Sequence, residues 1–354
     1  MPLSLPVVWS DSCLSHVSGG EVWIGVRVPG DELPERALRI RDALVGAGAP
    51  VVEATAHVDK AMLAVHDERL VSFLRTAWER WRSAGYPDTY GQSRVVPYIF
   101  PHPGLVAGVE PLDPTSPAAL TGAFCFDTMT PIGAGTWEAI QAAVDSALTA
   151  CDLVLAGAPA AYACTRPPGH HVTRSAYGGS CYLNNAAIAA QHLRDRGVAR
   201  VAIVDVDAHH GNGAQAIFAD REDVLTASVH VDPAAGWFPH FLGLARESDE
   251  ANLNLPLPPG SGDDVWLRGV EAAAADVRGH RSDALVLALG VDAARADPES
   301  PLEVTAGGFR EAGRVLGALG LPVVVVQEGG YDLAAIGGLV LAALEGLEEG
   351  RADA

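Results

Sequence analysis

Four apolar runs in this chain of 354 residues each stop at a short polar motif. Val201-Ala202-Ile203-Val204 leads into Asp205-Val206-Asp207-Ala208-His209-His210-Gly211-Asn212-Gly213, and Ala160-Ala161-Tyr162-Ala163-Cys164 precedes Arg166-Pro167-Pro168-Gly169-His170-His171. Residues 284–289 run into Gly290-Val291-Asp292, and Val323-Val324-Val325-Val326 into Gln327-Glu328-Gly329-Gly330-Tyr331. Runs that are apolar at every position, instead of every second one, belong to strands buried on both faces, as in a parallel sheet covered by helices. Ala-rich stretches at 137–150, 185–196 and 265–277 supply the helices, and apolar runs at 51–52, 153–155 and 225–229 add strands. The expectation is an α/β fold: a single domain over 1–354 with a mainly parallel multi-stranded sheet and helices on both faces. Its site should lie at the C-terminal ends of the strands, where such sheets bind ligands. The irregular segments 86–117 and 232–261 are expected as long loops rimming that edge.

Asp207 and His209 stand two residues apart at a strand end, so they point to one side and read as a metal-ligand pair. A hydrogen-bonded polar pair is the bland alternative. The formal charge of −20 opposes nonspecific binding of nucleic acid, which needs phosphates neutralised. No run approaches 18 apolar residues, and the N-terminus lacks a basic segment followed by a long apolar one, so neither a membrane span nor a secretory signal is expected. Five cysteines, an odd number with no close pairs, suit a reducing compartment and thus a cytoplasmic protein.

RPPGHH, DVDAHHGNG and EGGY, in this order, resemble the zinc-dependent histone deacetylase superfamily, whose fold is the arginase/deacetylase fold, and within it the bacterial acetylpolyamine amidohydrolases. Gly20-Glu21, Pro34-Glu35-Arg36, Cys181-Tyr182-Leu183-Asn184-Asn185 and Phe238-Pro239-His240-Phe241-Leu242-Gly243 extend the resemblance over nearly the whole chain. It implies zinc, with Fe(II) the alternative, held by Asp207, His209 and Asp292. It pairs His170 with Asp205 and His171 with Asn212. A carboxylate partner favours the charged ring and an amide does not, so His171 is expected as general base and His170 as its cationic neighbour. Tyr331 would donate to the oxyanion. A structural potassium ion would take Asp205, the carbonyls of Asp207 and His209, the Ser228 hydroxyl and the Val229 carbonyl. The implied reaction removes an acyl group, chiefly acetyl, from an acetylated polyamine, acetyl-lysine or a related small acyl-amine. The resemblance also leaves a homodimer open.

Gly179, Ser180, Trp237, Phe238 and His240 are the expected substrate contacts. Ser180 stands where relatives place an aromatic, so a wider slot is expected. Ala118 and Met129 stand where polyamine-cleaving relatives carry acids, with Asp127 and Glu110 only nearby, so weak discrimination for slender polyamines follows. His16 and His102 read as loop histidines, and Cys181 as a small buried hydrophobe. Two other functions compete. A two-manganese ureohydrolase of the arginase type needs Asp-Ala-His-x-Asp, but Gly211 occupies the last place. A catalytically silent acyl-amine binder would be favoured if a ligand or the tyrosine were missing.

Overall fold

The computed structural model describes residues 2–109 and 112–354. Its strands are β1 (Val7–Trp9), β2 (Glu21–Trp23), β3 (Val26–Val28), β4 (Val51–Glu53), β5 (Ala160–Ala163), β6 (Val201–Asp205), β7 (Val224–Val231), β8 (Asn252–Leu257), β9 (Ala284–Leu289) and β10 (Val323–Gln327). Eight of them form one sheet in the order β4-β1-β5-β10-β9-β6-β7-β8, parallel at every pairing. The other two, β2 and β3, make a small antiparallel hairpin.

The apolar runs explain this arrangement. Val8, Ala161, Ala163, Ile203, Val286, Val324 and Val326 pack on one side of the sheet, beneath helices Glu68–Ser83, Thr136–Leu155 and Asn185–Asp195. Alternate residues Val7, Tyr162, Ala202, Val204, Leu285, Leu287 and Val325 pack on the other, beneath Pro34–Gly46, Asp263–His280, Ala306–Gly317 and Ile336–Ala352. Both faces of every central strand are therefore core, which is why these runs carry no polar alternation.

Three expectations need correction. Residues 153–155 are the last turn of helix Thr136–Leu155, because three apolar residues fit the buried side of a helix as well as a strand. Segment 232–261 contains β8, whose alternation Asn252-Leu253-Asn254-Leu255 suits an edge strand. Segment 86–117 includes the short helix Tyr86–Tyr90, and Pro117 opens helix Pro117–Phe124. Glu110, raised above as a nearby acid, lies outside the described residues.

Helices Ala306–Gly317 and Ile336–Ala352 approach closely through glycines: a Cβ at Gly346 would overlap the Arg310 carbonyl, whereas one at Gly338 in the same helix meets nothing within 4 Å. Gly346→Ala is expected to destabilise by about 1–3 kcal/mol through overpacking. Gly338→Ala should be neutral or stabilising by about 0.5–1 kcal/mol, since it only removes backbone freedom. Paired denaturant melts of the two variants check the contrast.

Candidate active site

Strands β5, β10, β9 and β6 are consecutive neighbours, so their C-terminal ends share one stretch of sheet edge. Asp205 lies opposite Ala288, Gln327 opposite Leu289 and Val326 opposite Ala163. The segments leaving these ends bring together Asp207 and His209 after β6, Asp292 after β9, Tyr331 after β10 and His170-His171 after β5.

Asp207, His209 and Asp292 each offer a ligand atom, all within 4.8 Å of one another. Both carboxylates are fully buried. Burial, reinforced by the charge of Asp207, pushes Asp292 up to about 7; for Asp207 the same burial is outweighed by His170 and His209, which hold it below the usual carboxylate range. Backbone N–H groups offset part of the desolvation: Gly329 donates to Asp207 Oδ2 at 2.8 Å, His209 to Asp207 Oδ1 at 2.9 Å, and Ala208 to Asp292 Oδ1 at 2.7 Å. His209 Nδ1 stands 3.2 Å from Asp207 Oδ1 and 3.0 Å from Asp292 Oδ2. Glycines make the room, since a Cβ at Gly290 or Gly329 would overlap the Asp207 carboxylate. Two buried carboxylates and an imidazole nitrogen converging on one point form a donor set that fits a divalent cation.

The neighbouring histidines are held in different ways. Asn212 Nδ2 donates to the His171 carbonyl at 3.0 Å, which turns its Oδ1 toward His171 Nδ1 at 2.6 Å. Nδ1 must therefore carry the proton, and Nε2 keeps its lone pair. Burial, with the charges of His170 and His209, takes His171 well below the ordinary imidazole value. His170 Nδ1 instead faces Asp205 Oδ2 at 2.9 Å. Burial opposes its charge, but Asp207 and Asp205 outweigh that and raise it to about 10. One ring is thus a neutral acceptor and the other an imidazolium, with ring centroids 4.0 Å apart.

Tyr331 follows Gly330, whose φ of +125° is open to glycine and strained for other residues. Arg36 clasps this turn: Nε donates to the Gly330 carbonyl at 2.5 Å and Nη2 to the Glu328 carbonyl at 2.6 Å, while the guanidinium carbon lies 4.6 Å from the Tyr331 ring centroid. Glu32 pairs with Arg36 at 2.8 Å and with Arg166 at 2.7 Å, all three buried. Burial pushes the Tyr331 phenol well above its usual value, against the pull of Arg36, so near neutral pH it carries its proton.

These groups open on a cleft of about 490 Å³, part of it open to solvent, with His171, His209, Tyr331 and Phe238 at its inner end. Gly179, Ser180 and Met129 form one wall, and Glu21, Asp31 and Glu299 an acidic one. Burial and the nearby Glu299, Asp127 and Asp31 raise Glu21 to about 8.

Comparison with known proteins agrees with this geometry. Residues 31–347 match the histone deacetylase domain. The chain belongs to the histone deacetylase family. It is 39% identical over 347 residues to an acetylpolyamine amidohydrolase of Mycoplana ramosa, covering 96% of this chain and 99% of that one. It is 42% identical over 313 residues to one from Burkholderia pseudomallei, covering 87% and 88%. The crystal structure of acetylpolyamine aminohydrolase from Burkholderia pseudomallei superposes with a TM-score of 0.91 at 38% identity, covering 98% of this chain and 99% of that one. Membership makes the protein a hydrolase of amide bonds with a metal cofactor.

Within this histone deacetylase fold, Asp205, Asp207, His209, Asn212, His170, His171, Asp292 and Tyr331 all gather at the one edge. Ser228 lies opposite Asp205 in the β6–β7 pairing, and its Oγ accepts the Gly211 N–H at 3.2 Å. Gly179, Ser180 and Phe238 reach the inner cleft, whereas Trp237 and His240 line an outer vestibule with Trp23 and Pro298. Position 180 carries no ring; Phe126 lies against Gly178 with its centroid 6.4 Å from that of Phe238, and the two rings line a neighbouring hollow with Thr128 and Leu242, while Phe238 is the ring that reaches the cleft. Ala118 is core and Met129 wall. Asp127 is no rim acid: its carboxylate accepts the N–H groups of Gly179, Met129 and Thr130. His16 is buried, not a simple loop residue, and contacts Thr136 Oγ1 at 2.9 Å. Sequence reasoning missed Glu32, Asp31 and Glu299 and gave Arg36 no role. Charged residues in ordinary loop or helix context carry no local sign of burial. Glu32→Ala would strand two buried guanidinium groups and is expected to cost about 3–5 kcal/mol, read as a loss in thermal and urea stability.

Proposed function

We propose that this chain, as one domain over 1–354, is a zinc-dependent deacetylase that releases an acetyl group from a small amine bearing a second, cationic group. Acetylated polyamines are the substrate class to which the names of its relatives point. The observation that carries the reading is a single cleft joining His209 of the ligand triad, a neutral His171 and the Tyr331 phenol to the carboxyls of Glu21, Asp31 and Glu299. These acids come from segments other than the one in which Ala118 and Met129 stand, so the lack of charge at those two positions does not leave a distal ammonium without partners.

Zinc held by Asp207, His209 and Asp292, or Fe(II) on the same donors, would supply Lewis acidity toward the acyl carbonyl and the attacking water. His171 Nε2 accepts a proton from that water as its oxygen bonds to the acyl carbon. The Tyr331 hydroxyl donates a hydrogen bond to the oxyanion that develops. His170, kept cationic by Asp207 and Asp205, adds positive charge beside it. The C–N bond then breaks, a histidine proton passes to the departing nitrogen, and acetate and the free amine leave. A potassium ion at Asp205, Ser228 and the carbonyls of Asp207, His209 and Val229 belongs to the same proposal, where it would offset the Asp205 charge. So do action in the cytoplasm and a homodimer, for which the exposed Trp23, Ile24 and Val26 of the β2–β3 hairpin offer an apolar face. Among the described residues no helix is long and apolar enough to cross a membrane.

Asp292→Ala and His209→Ala are expected to lose bound metal together with activity, because each removes one of only three protein ligands; elemental analysis that finds a full complement would remove that residue from the set. Tyr331→Phe should keep the metal and lose about 10²–10³ in kcat. The acidic wall is tested with two substrates. Asp31→Asn and Glu299→Gln should each raise KM for a monoacetylated diamine about tenfold, the loss of a charge-assisted contact, while leaving KM for an uncharged N-alkylacetamide unaltered. Equal KM changes for both substrates would count against the cationic reading.

A further inference from the structure

Glu328 is the first residue beyond β10, and its carboxyl is fully buried. A carboxyl taken out of water persists where hydrogen bonds offset its desolvation. One oxygen does all of that bonding here. Oε2 accepts the backbone N–H of Gly169 at 2.6 Å and that of His170 at 3.1 Å. Oε1 has no partner among the described residues. Glu328 itself is fixed to the sheet, since its N–H donates to the Leu289 carbonyl at 2.9 Å and its own carbonyl accepts from Arg36 at 2.6 Å. The segment it grips belongs to no strand or helix. Without Oε2, two consecutive buried N–H groups would lose their acceptor, immediately before the ring on which the proposed base depends.

We infer that Glu328 is a positioning residue: by holding the Gly169 and His170 N–H groups it sets the His170-His171 pair against Asp205 and Asn212. The His171 Nδ1 to Asn212 Oδ1 contact of 2.6 Å leaves little slack, so a shift of this segment would break it or turn Nε2 away from the cleft. Oε1 makes no hydrogen bond among the described residues, so the hydrogen bonding calls for an acceptor at one point in space, and comparing a Gln with an Asp replacement separates that need from the effect of a carboxyl charge on the nearby His170. Glutamine meets that need, its carbonyl oxygen replacing Oε2 and its NH₂ the unpaired oxygen. Aspartate keeps the carboxyl but withdraws the acceptor by one methylene.

The inference rests on the amidohydrolase reading for its kinetic test but not for its structural one. Glu328→Gln, Glu328→Asp and Glu328→Met are compared in the metal-loaded protein. With a monoacetylated diamine, the Gln variant is expected to keep kcat within about threefold, and the Asp and Met variants to lose about 10–10²-fold, the scale of an ångström misplacement. Their metal content and KM should stay near wild type. Independently of activity, the short His171 Nδ1–H hydrogen bond should give a downfield imidazole proton in the NMR spectrum, identified by its loss in His171→Ala. That signal should survive in the Gln variant and vanish or move in the Asp variant. If Met does not fold, the Gln and Asp pair decides alone. Gln as impaired as Met, with Asp near wild type, would show that charge is what matters and overturn the inference, as would an unmoved signal in all three variants. A wild type that turns over no acyl-amine, yet shows the expected pattern of NMR signals, would sink the amidohydrolase reading and leave the positioning role standing.

Discussion

Two carboxylates, Asp207 and Asp292, are buried side by side where two strands of the sheet end, and much of the surrounding structure answers to that cost. Removing a carboxylate from water is expensive unless partners replace the solvent. The partners here are backbone N–H groups of Ala208, His209 and Gly329, and the imidazole of His209 between the two acids. Side chains at Gly290 and Gly329 would collide with this arrangement. Even so, Asp292 stays raised to about 7 by burial and by the charge of Asp207. The two carboxylates and the His209 ring each aim a donor atom at one point, and that convergence is the physical basis for proposing it as the seat of the metal cofactor that family membership brings.

The same edge separates the two histidines chemically. They share a backbone segment and near-equal burial, and differ in the atom that faces Nδ1. The charge of Asp207 and the Asp205 oxygen at Nδ1 make His170 a strong base that holds its proton; an Asn212 oxygen orients His171 without adding charge, and burial and the cation beside it push its proton affinity down. Each ring helps define the other, because His170 is among the charges that lower His171. Beneath them a buried ionic group, Glu32 with Arg36 and Arg166, ties the Pro34–Gly46 helix to the segments after β5 and β10, and Arg36 reaches the carbonyls before Tyr331. The proposed base and the proposed oxyanion donor thus rest on one ionic anchor.

The proposed selectivity has a different origin. The acidic wall is assembled from β2, the segment preceding helix Pro34–Gly46 and the loop after β9. Asp127, an acid adjacent to the cleft in sequence terms, is consumed internally in shaping the opposite wall at Gly179 and Met129. The Trp237 indole N–H donates to the Glu299 carbonyl, linking the vestibule to that acidic wall.

Much of the fold and of the reactive groups was legible in the chain itself. Uninterrupted apolar runs such as 201–204 and 323–326 can be satisfied only by strands covered on both faces, and the motif after each run needs only local geometry to reach the sheet edge. Asp207 and His209 follow from strand periodicity, while the contrast between His170 and His171 needed the family resemblance to pair them with Asp205 and Asn212 before chemistry could tell the rings apart. Tertiary structure decided what depends on contacts between segments far apart in sequence. Whether residues 153–155 extend a helix or start a strand was set by packing, not by three residues. That Asp127 faces inward, that Phe126 packs beside Phe238 in a hollow next to the cleft, and that Asp31 and Glu299 meet across more than two hundred positions are facts of three-dimensional proximity. No local pattern encodes them, because burial and electrostatic environment belong to the assembled neighbourhood and not to any one residue.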